Sequence, residues 1–230
     1  MNISRRREYR AHGKGRCRVD LGRCRRLLLV ERILVAASVE DVGRVGDGGF
    51  VKTAGVTATE SALVIAFPTV DAVVASHRSR FDSGAIRGVP AHVTVLYPFM
   101  PPELLSTAVL DELRDLLGEF PPFDTTFERV DWFDDGLVYL RPTPDVPFRQ
   151  LTAAIAARWP DWPPYGGAHG VPTPHLTIGD IGTRAEHERA AEAIAPALPI
   201  DALSSTVHLY TGSHAPHTWT ELAVIELGTS

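Results

Sequence analysis

The feature of this 230-residue sequence that most constrains its fold is a short motif that occurs twice. Residues 89–95 read Val-Pro-Ala-His-Val-Thr-Val, and residues 171–178 read Val-Pro-Thr-Pro-His-Leu-Thr-Ile. Each copy ends in His-apolar-Thr-apolar, the alternation typical of a half-buried β-strand. His92 and Thr94 therefore share one strand face, as do His175 and Thr177, and the residues between them face a core. The sequence thus predicts two comparable strands, each presenting an imidazole and a hydroxyl on one side.

The segments around the two motifs alternate between helix and strand patterns. Strands are predicted at residues 63–67, 91–99, 124–133, 137–141, 175–178, 207–211 and 221–227, with a hairpin turn at residues 134–136. Helices are predicted at residues 70–81 with Thr69 as cap, behind Pro101 and Pro102 up to residue 117, at 146–159 and at 184–197. Residues 82–90 and 161–174 are predicted loops. Because this order of elements recurs, we predict an α+β chain made of two related lobes.

Charge divides the sequence into two parts. Residues 1–60 carry 13 Lys and Arg against 7 Asp and Glu, whereas residues 61–230 carry 10 against 21. We expect residues 1–60, rich in Arg and Gly and without periodicity, to be a disordered extension, and residues 61–230 to be the folded domain. Two other interpretations of the extension remain open. It is a basic arm for nucleic-acid phosphates, or an export signal, although Glu31 and Arg32 interrupt the apolar run that export requires.

Composition excludes several classes of protein. The two cysteines, Cys17 and Cys24, lie in the extension, so the folded part is neither a disulfide scaffold nor a cysteine zinc site. No stretch reaches the roughly 18 apolar residues of a membrane span. We therefore expect a cytoplasmic protein with no membrane partner.

The paired His-x-Thr strands suggest a chemistry. If the two strands meet, two imidazoles and two hydroxyls line one groove, which suits phosphoryl chemistry on a nucleoside phosphate. A neutral imidazole takes a proton from the attacking hydroxyl, an imidazolium gives one to the leaving oxygen, and the hydroxyls bind the non-bridging oxygens. This chemistry requires no metal and no other cofactor. Two alternatives remain: structural histidines, and a metal site, although the other histidines show no HExxH spacing.

The two motifs resemble those of the 2H phosphoesterase superfamily, which has two His-x-Thr/Ser motifs. The resemblance is to its bacterial branch, the 2′-5′ RNA ligase family proteins, and covers about residues 61–228. It is carried by His-Val-Thr-Val-Leu-Tyr-Pro-Phe at 92–99, Trp-Pro-Pro-Tyr-Gly-Gly-Ala at 162–168 and Pro-His-Leu-Thr-Ile at 174–178. It implies two pseudo-symmetric lobes whose antiparallel sheets form a central groove, with the helices outside.

The resemblance also implies roles for individual residues. His92 and His175 match the acid/base pair, and Thr94 and Thr177 match the hydroxyls that contact phosphate. Further candidates for holding a base or a flanking phosphate are Tyr97, Phe99, Arg141 and Tyr165.

Three hypotheses about function follow. The first is a monomeric, metal-independent phosphoesterase that opens 2′,3′-cyclic phosphates of nucleotides or RNA ends, with reversible 2′-5′ RNA ligation as a further activity. Because residues 61–230 are acidic, small substrates are favoured over long RNA. The second is a non-catalytic nucleotide or RNA-binding module that uses the same groove. The third is a metal-dependent hydrolase.

Overall fold

The computed structural model describes residues 57–134, 136–168 and 172–228. The predictions for residues 1–56, including Cys17 and Cys24, lie outside the described residues, as do Asp135 in the predicted hairpin turn and Val171 in the second motif.

The described residues form eight strands and five α-helices. The strands are β1 (Glu60–Ala66), β2 (His92–Leu96), β3 (Phe123–Trp132), β4 (Val138–Thr143), β5 (Leu176–Gly179), β6 (Ile200–Ser204), β7 (Thr206–Gly212) and β8 (Thr220–Glu226). The helices are α1 (Pro68–Phe81), α2 (Ser83–Arg87), α3 (Thr107–Leu117), α4 (Val146–Arg158) and α5 (Arg184–Ile194). Short 3-10 helices lie at Pro102–Leu104, Pro164–Gly167 and Ala195–Ala197.

All eight described strands belong to one antiparallel sheet in the order β6-β3-β4-β5-β2-β1-β7-β8. The sheet is curled into a half-barrel with the helices outside. Its two halves have the same plan, because β1 and β2 are antiparallel neighbours joined through helix, and so are β4 and β5. The predicted α+β fold of two pseudo-symmetric lobes is confirmed.

The two halves are not successive halves of the sequence. The C-terminal hairpin of β7 and β8 pairs with β1, with Leu63 opposite Leu209, and so completes the half that contains the first motif. The middle strands β3 and β6 complete the other half. The chain therefore crosses between the halves after β2 and again after β6.

Several helix ends differ from the sequence prediction for local reasons. Helix α1 begins at Pro68, and Thr69 is not its cap, because proline already fits the first turn, where no backbone donor is needed. The helix predicted behind Pro101 and Pro102 is divided, since Ser106 accepts the Val109 N–H and starts α3 there. The predicted loop at 82–90 contains α2, capped by Asp82.

The core lies between the sheet and the outer helices. Alternate residues of the central strands point into it, including Val93, Val95, Leu176 and Ile178, all at most 2% exposed. Helices α1, α3 and α4 each contribute a buried apolar face. None of the helices in the described ranges is long and apolar enough to cross a membrane.

Candidate active site

The two motif strands are neighbours at the centre of the sheet. Val93 of β2 lies opposite Leu176 of β5 in antiparallel register. Because opposite residues of an antiparallel pair share a face, the residues flanking this pair face the same side. That side is the concave one, since Val93 and Leu176 point into the core. The resulting groove is lined at its centre by His92, Thr94, His175 and Thr177.

Both histidines are held by the same hydrogen bond. The Nδ1 atom of His92 lies 2.7 Å from the carbonyl oxygen of Pro90, and that of His175 lies 2.7 Å from the carbonyl oxygen of Thr173. A carbonyl oxygen can only accept, so each Nδ1 carries the proton and donates it. In the neutral form of each ring, Nε2 is then the nitrogen that accepts a proton.

The environment of His92 disfavours a positive charge on its ring. Burial lowers its pKa to about 4, and the positive charge of Arg78 acts in the same direction. A charge on His175 lowers the pKa further, while the Pro90 carbonyl and Asp71 oppose the change. His92 is therefore neutral at pH 7.

An aromatic and cationic flank lies beside His175. The ring of Phe133 stacks on Tyr139 at 4.4 Å and meets the ring of His175 edge-on at 5.0 Å. Tyr139 lies opposite Thr177, and Arg141, two residues further along β4, is on the same face. The Arg141 side chain is 41% exposed, with its guanidinium 3.9 Å from Asp131. The predicted site residue Arg141 thus lies in the groove.

The opposite flank is apolar. Val64 lies opposite Thr94 and packs in a second buried cluster with Ala62, Val89, Tyr210 and Trp219. Tyr97 packs against this cluster, with its ring 6.0 Å from that of Trp219 and its hydroxyl donating to Glu60 at 3.1 Å. The Tyr165 N–H donates to the Tyr97 carbonyl at 2.7 Å, which brings both tyrosines to the end of β2.

Phe99 does not lie in the groove. Its side chain is 2% exposed within the main core and packs edge-on against Trp159 at 5.5 Å. The prediction that Phe99 binds substrate is therefore wrong, because its ring faces the helices and not the concave side of the sheet.

Sequence reasoning missed three residues of this region: Phe133, Tyr139 and Arg78. Tyr139 could have been found, since it precedes the selected Arg141 by two residues on a predicted strand. Arg78 sits in a predicted helix, and nothing local indicates that its guanidinium is buried. Among the described residues, no group of three or more His, Cys, Asp or Glu side chains is arranged to hold a metal ion.

A half-barrel sheet with two His-x-Thr strands side by side at its centre defines the class of two-histidine phosphoesterases. Within this class, the chain belongs to the 2′-5′ RNA ligase superfamily, whose family model matches residues 66–215. A comparison with curated proteins gave no match.

Solved structures with a similar fold are distant in sequence. The TT0787 protein of Thermus thermophilus is 16% identical over 74% of this chain and 99% of its own, with a TM-score of 0.50. E. coli LigT complexed with NADP+ is 18% identical over 75% of this chain and 99% of its own, with a TM-score of 0.46. A protein described as a phosphoesterase is 17% identical over 75% of this chain and all of its own, also with a TM-score of 0.46.

Proposed function

We infer that the chain is a metal-independent phosphoesterase that opens 2′,3′-cyclic phosphates by acid/base catalysis with His92 and His175. The observation that carries this proposal is the matched pair of Nδ1 hydrogen bonds, which gives both neutral rings the same tautomer. Two imidazoles on adjacent strands of one face suit a reaction that takes a proton at one point and gives one at another.

The reaction is an in-line displacement at phosphorus. The oxygen of water forms a bond to phosphorus while the bond to the 3′ oxygen breaks, which yields a 2′-phosphate and a 3′-hydroxyl. His92, neutral at pH 7, accepts the proton of the attacking water at Nε2, and the anionic phosphate favours the imidazolium that forms. His175 donates a proton to the leaving oxygen. If the oxygen of a 5′-hydroxyl attacks phosphorus in place of water while the bond to the 3′ oxygen breaks, the same pair would join RNA ends through a 2′-5′ linkage and release the 3′-hydroxyl.

The hydroxyls of Thr94 and Thr177 would stabilise the charge that develops on the non-bridging oxygens. Both lie on the face of the sheet that carries the imidazoles, half-buried between core residues. Hydroxyl donors fixed on a strand need no reorganisation when the charge develops.

The two flanks of the groove suggest how the rest of a nucleotide would lie. Phe133, beside His175, offers a ring for stacking a base, and Arg141 offers a charge for a flanking phosphate. Tyr97 and Tyr165 remain candidates for contacts at the other end of β2. We expect a nucleotide or an RNA end as substrate.

The test is turnover of a 2′,3′-cyclic mononucleotide in the presence of EDTA. The wild-type protein should hydrolyse this substrate with EDTA present. The kcat/KM of His92→Asn and of His175→Asn should each be about 10²- to 10⁴-fold lower. Asparagine can still donate to the carbonyl but cannot exchange a proton. His217→Asn, at an exposed histidine outside the two motifs, is the matched control and should match wild type.

The outcomes separate the competing functions. Full activity in either motif variant would contradict two-histidine catalysis. Loss of activity with EDTA would favour a metal-dependent hydrolase. Binding of oligonucleotides without turnover of any cyclic phosphate would favour the non-catalytic binding module.

A further inference from the structure

The guanidinium of Arg78 is buried within the fold and makes contacts to both halves of the site. Its side chain is 2% exposed. It donates to the carbonyl oxygen of Thr177 at 3.2 Å and to that of Val89 at 3.3 Å, and so reaches the second motif and the segment that leads into the first. Arginine is suited to this position because its planar fork directs several N–H donors at once.

Two carboxylates hold the guanidinium in place. Asp82 accepts from Nε at 2.7 Å and Asp71 accepts from Nη1 at 2.9 Å. The same Oδ1 of Asp71 accepts the N–H of Ala91 at 3.0 Å, which is the residue before His92. Asp82 also accepts the Gly84 N–H, and a Cβ built on Gly84 would lie 3.7 Å from the His92 ring. Arg78 is therefore connected through Asp71 to Ala91, the residue before His92.

This connection occurs where the sheet itself is weakest. In the described residues, β2 and β5 meet through a single registered pair, Val93 and Leu176, whereas β1 and β2 share four. Few ladder hydrogen bonds are then available to fix the separation of the two motif strands. Arg78 supplies bonds to the backbone on both sides of this junction.

The charge of Arg78 also acts on one of the two imidazoles. The charged and titratable groups that face His92 are Arg78 and Asp71 of α1 and His175, which immediately precedes β5. Arg78 and His175 disfavour a positive charge on His92, whereas Asp71 favours it. Burial lowers the pKa of His92 most, and the charge of Arg78 adds to it in keeping the ring neutral.

We propose that Arg78 is a positioning residue that joins the two motif strands at their junction. This inference rests on the two-histidine reaction proposed above. The guanidinium does not contact the substrate. It sets the distance and register between the two imidazoles, and a small error in such a distance costs a large factor in rate.

Two substitutions separate the role of Arg78 in joining the two motif strands from the effect of its charge on His92. Arg78→Lys keeps the charge, but one ammonium cannot hold two carboxylates and two carbonyls together. We expect kcat to fall roughly tenfold to hundredfold with little change in KM, and the amides of Val93 and Leu176 to exchange hydrogen faster. The pKa of His92, followed by NMR of the ring, should stay low. Arg78→Met removes the charge as well, so the pKa of His92 should rise towards the ordinary histidine value of 6.5.

Arg80→Met is the matched control, since it removes the same charge from the same helix at an exposed position. It should leave kcat, amide exchange and the pKa of His92 unchanged. If Arg78→Met does not fold, Asp71→Asn replaces it, because the Asp71 side chain is 36% exposed and its loss should lower the pKa of His92 further.

If Arg78→Lys keeps the kcat and the amide exchange rates of wild type, the proposed role of Arg78 in joining the two strands is wrong. A pKa of His92 that does not move in Arg78→Met or in Asp71→Asn would overturn the effect of the charge. The titration of the His92 ring and the amide hydrogen exchange can both be measured in a protein that shows no catalytic activity. If wild type opens no cyclic phosphate, the proposed function fails, while the ring titration and the amide exchange still decide the role of Arg78.

Discussion

Val93 lies directly opposite Leu176, and this one pairing makes neighbours of two strands whose motifs are more than 80 residues apart in sequence. The pair itself is buried, so the polar residues on either side of it are turned to the opposite, concave face. Two histidines with the same backbone hydrogen bond thereby face one groove. The proposed chemistry depends on this pairing, and four predictions follow from its surroundings.

The first prediction concerns the dependence of rate on pH. His92 must be neutral to accept a proton, and its pKa is lowered to about 4 by burial and by Arg78. Between pH 7 and about pH 3.5, the acid limb of kcat/KM should therefore be centred near pH 4. The measurement is kcat/KM for a 2′,3′-cyclic mononucleotide over this range. An acid limb centred near 6.5 would contradict the assignment of His92 as the proton acceptor.

The second prediction concerns stability. The pKa of His92 is 6.5 in the unfolded chain and about 4 in the folded protein, so the unfolded state binds the proton first as the pH falls. The contribution of the neutral ring is complete above pH 6.5 and is lost between 6.5 and 4, up to about 3 kcal/mol. Urea unfolding of wild type and His92→Asn at pH 7.5 and 4.5 measures it. His92→Asn should lose less stability on acidification, and equal losses would argue against the low pKa.

The third prediction concerns the threonine hydroxyls. Thr94→Val and Thr177→Val keep the shape of the side chain and remove the donor, so kcat should fall by about 10²- to 10³-fold in each. The melting temperature should change little, because neither hydroxyl faces the core. Thr126→Val, on β3 and bonded to Asp201 at an exposed position, is the control and should retain full activity. Wild-type kcat in both motif variants would remove the hydroxyls from the mechanism.

The fourth prediction concerns Arg141. If its guanidinium binds a flanking phosphate, Arg141→Ala should raise KM for a short oligonucleotide with a cyclic end about tenfold and leave the KM of a cyclic mononucleotide almost unchanged. The dependence of KM on salt should weaken in the same variant. Arg114→Ala, at an exposed ion pair with Asp111 on α3, is the matched control. An equal effect on both substrates would show that Arg141 does not distinguish them.

Much of the fold could be predicted because the local signals agree with one another. Half-buried and buried residues alternate over 92–95 and 175–178, and the helices at 70–81, 146–159 and 184–197 are all present within a few residues of the predicted bounds. The sequence pattern does not reveal strand β6, because it is a five-residue edge strand with Leu203 59% exposed, and its pattern does not differ from that of a loop.

The position of Phe99 was predicted wrongly, because the strand predicted at 91–99 ends at Leu96 in the structure. Val95 and Leu96 both face the core at an irregularity in the register of β2, so alternation counted from Val93 does not extend to Phe99. The resemblance to the family drew attention to the segment 92–99 as a whole. Packing beyond the end of β2 decides that Phe99 joins the main core while Tyr97 packs against the second cluster.

The sequence by itself determined which residues form the two motif strands and which face of each strand is polar, because side-chain alternation is a local property of the backbone. Only the tertiary structure decided that these strands are adjacent, that the C-terminal hairpin completes the first half of the sheet, and that Arg78 of α1 lies behind both motifs. These relationships depend on packing between segments far apart in the chain. A local sequence pattern cannot predict these relationships, because each depends on how the core as a whole is buried.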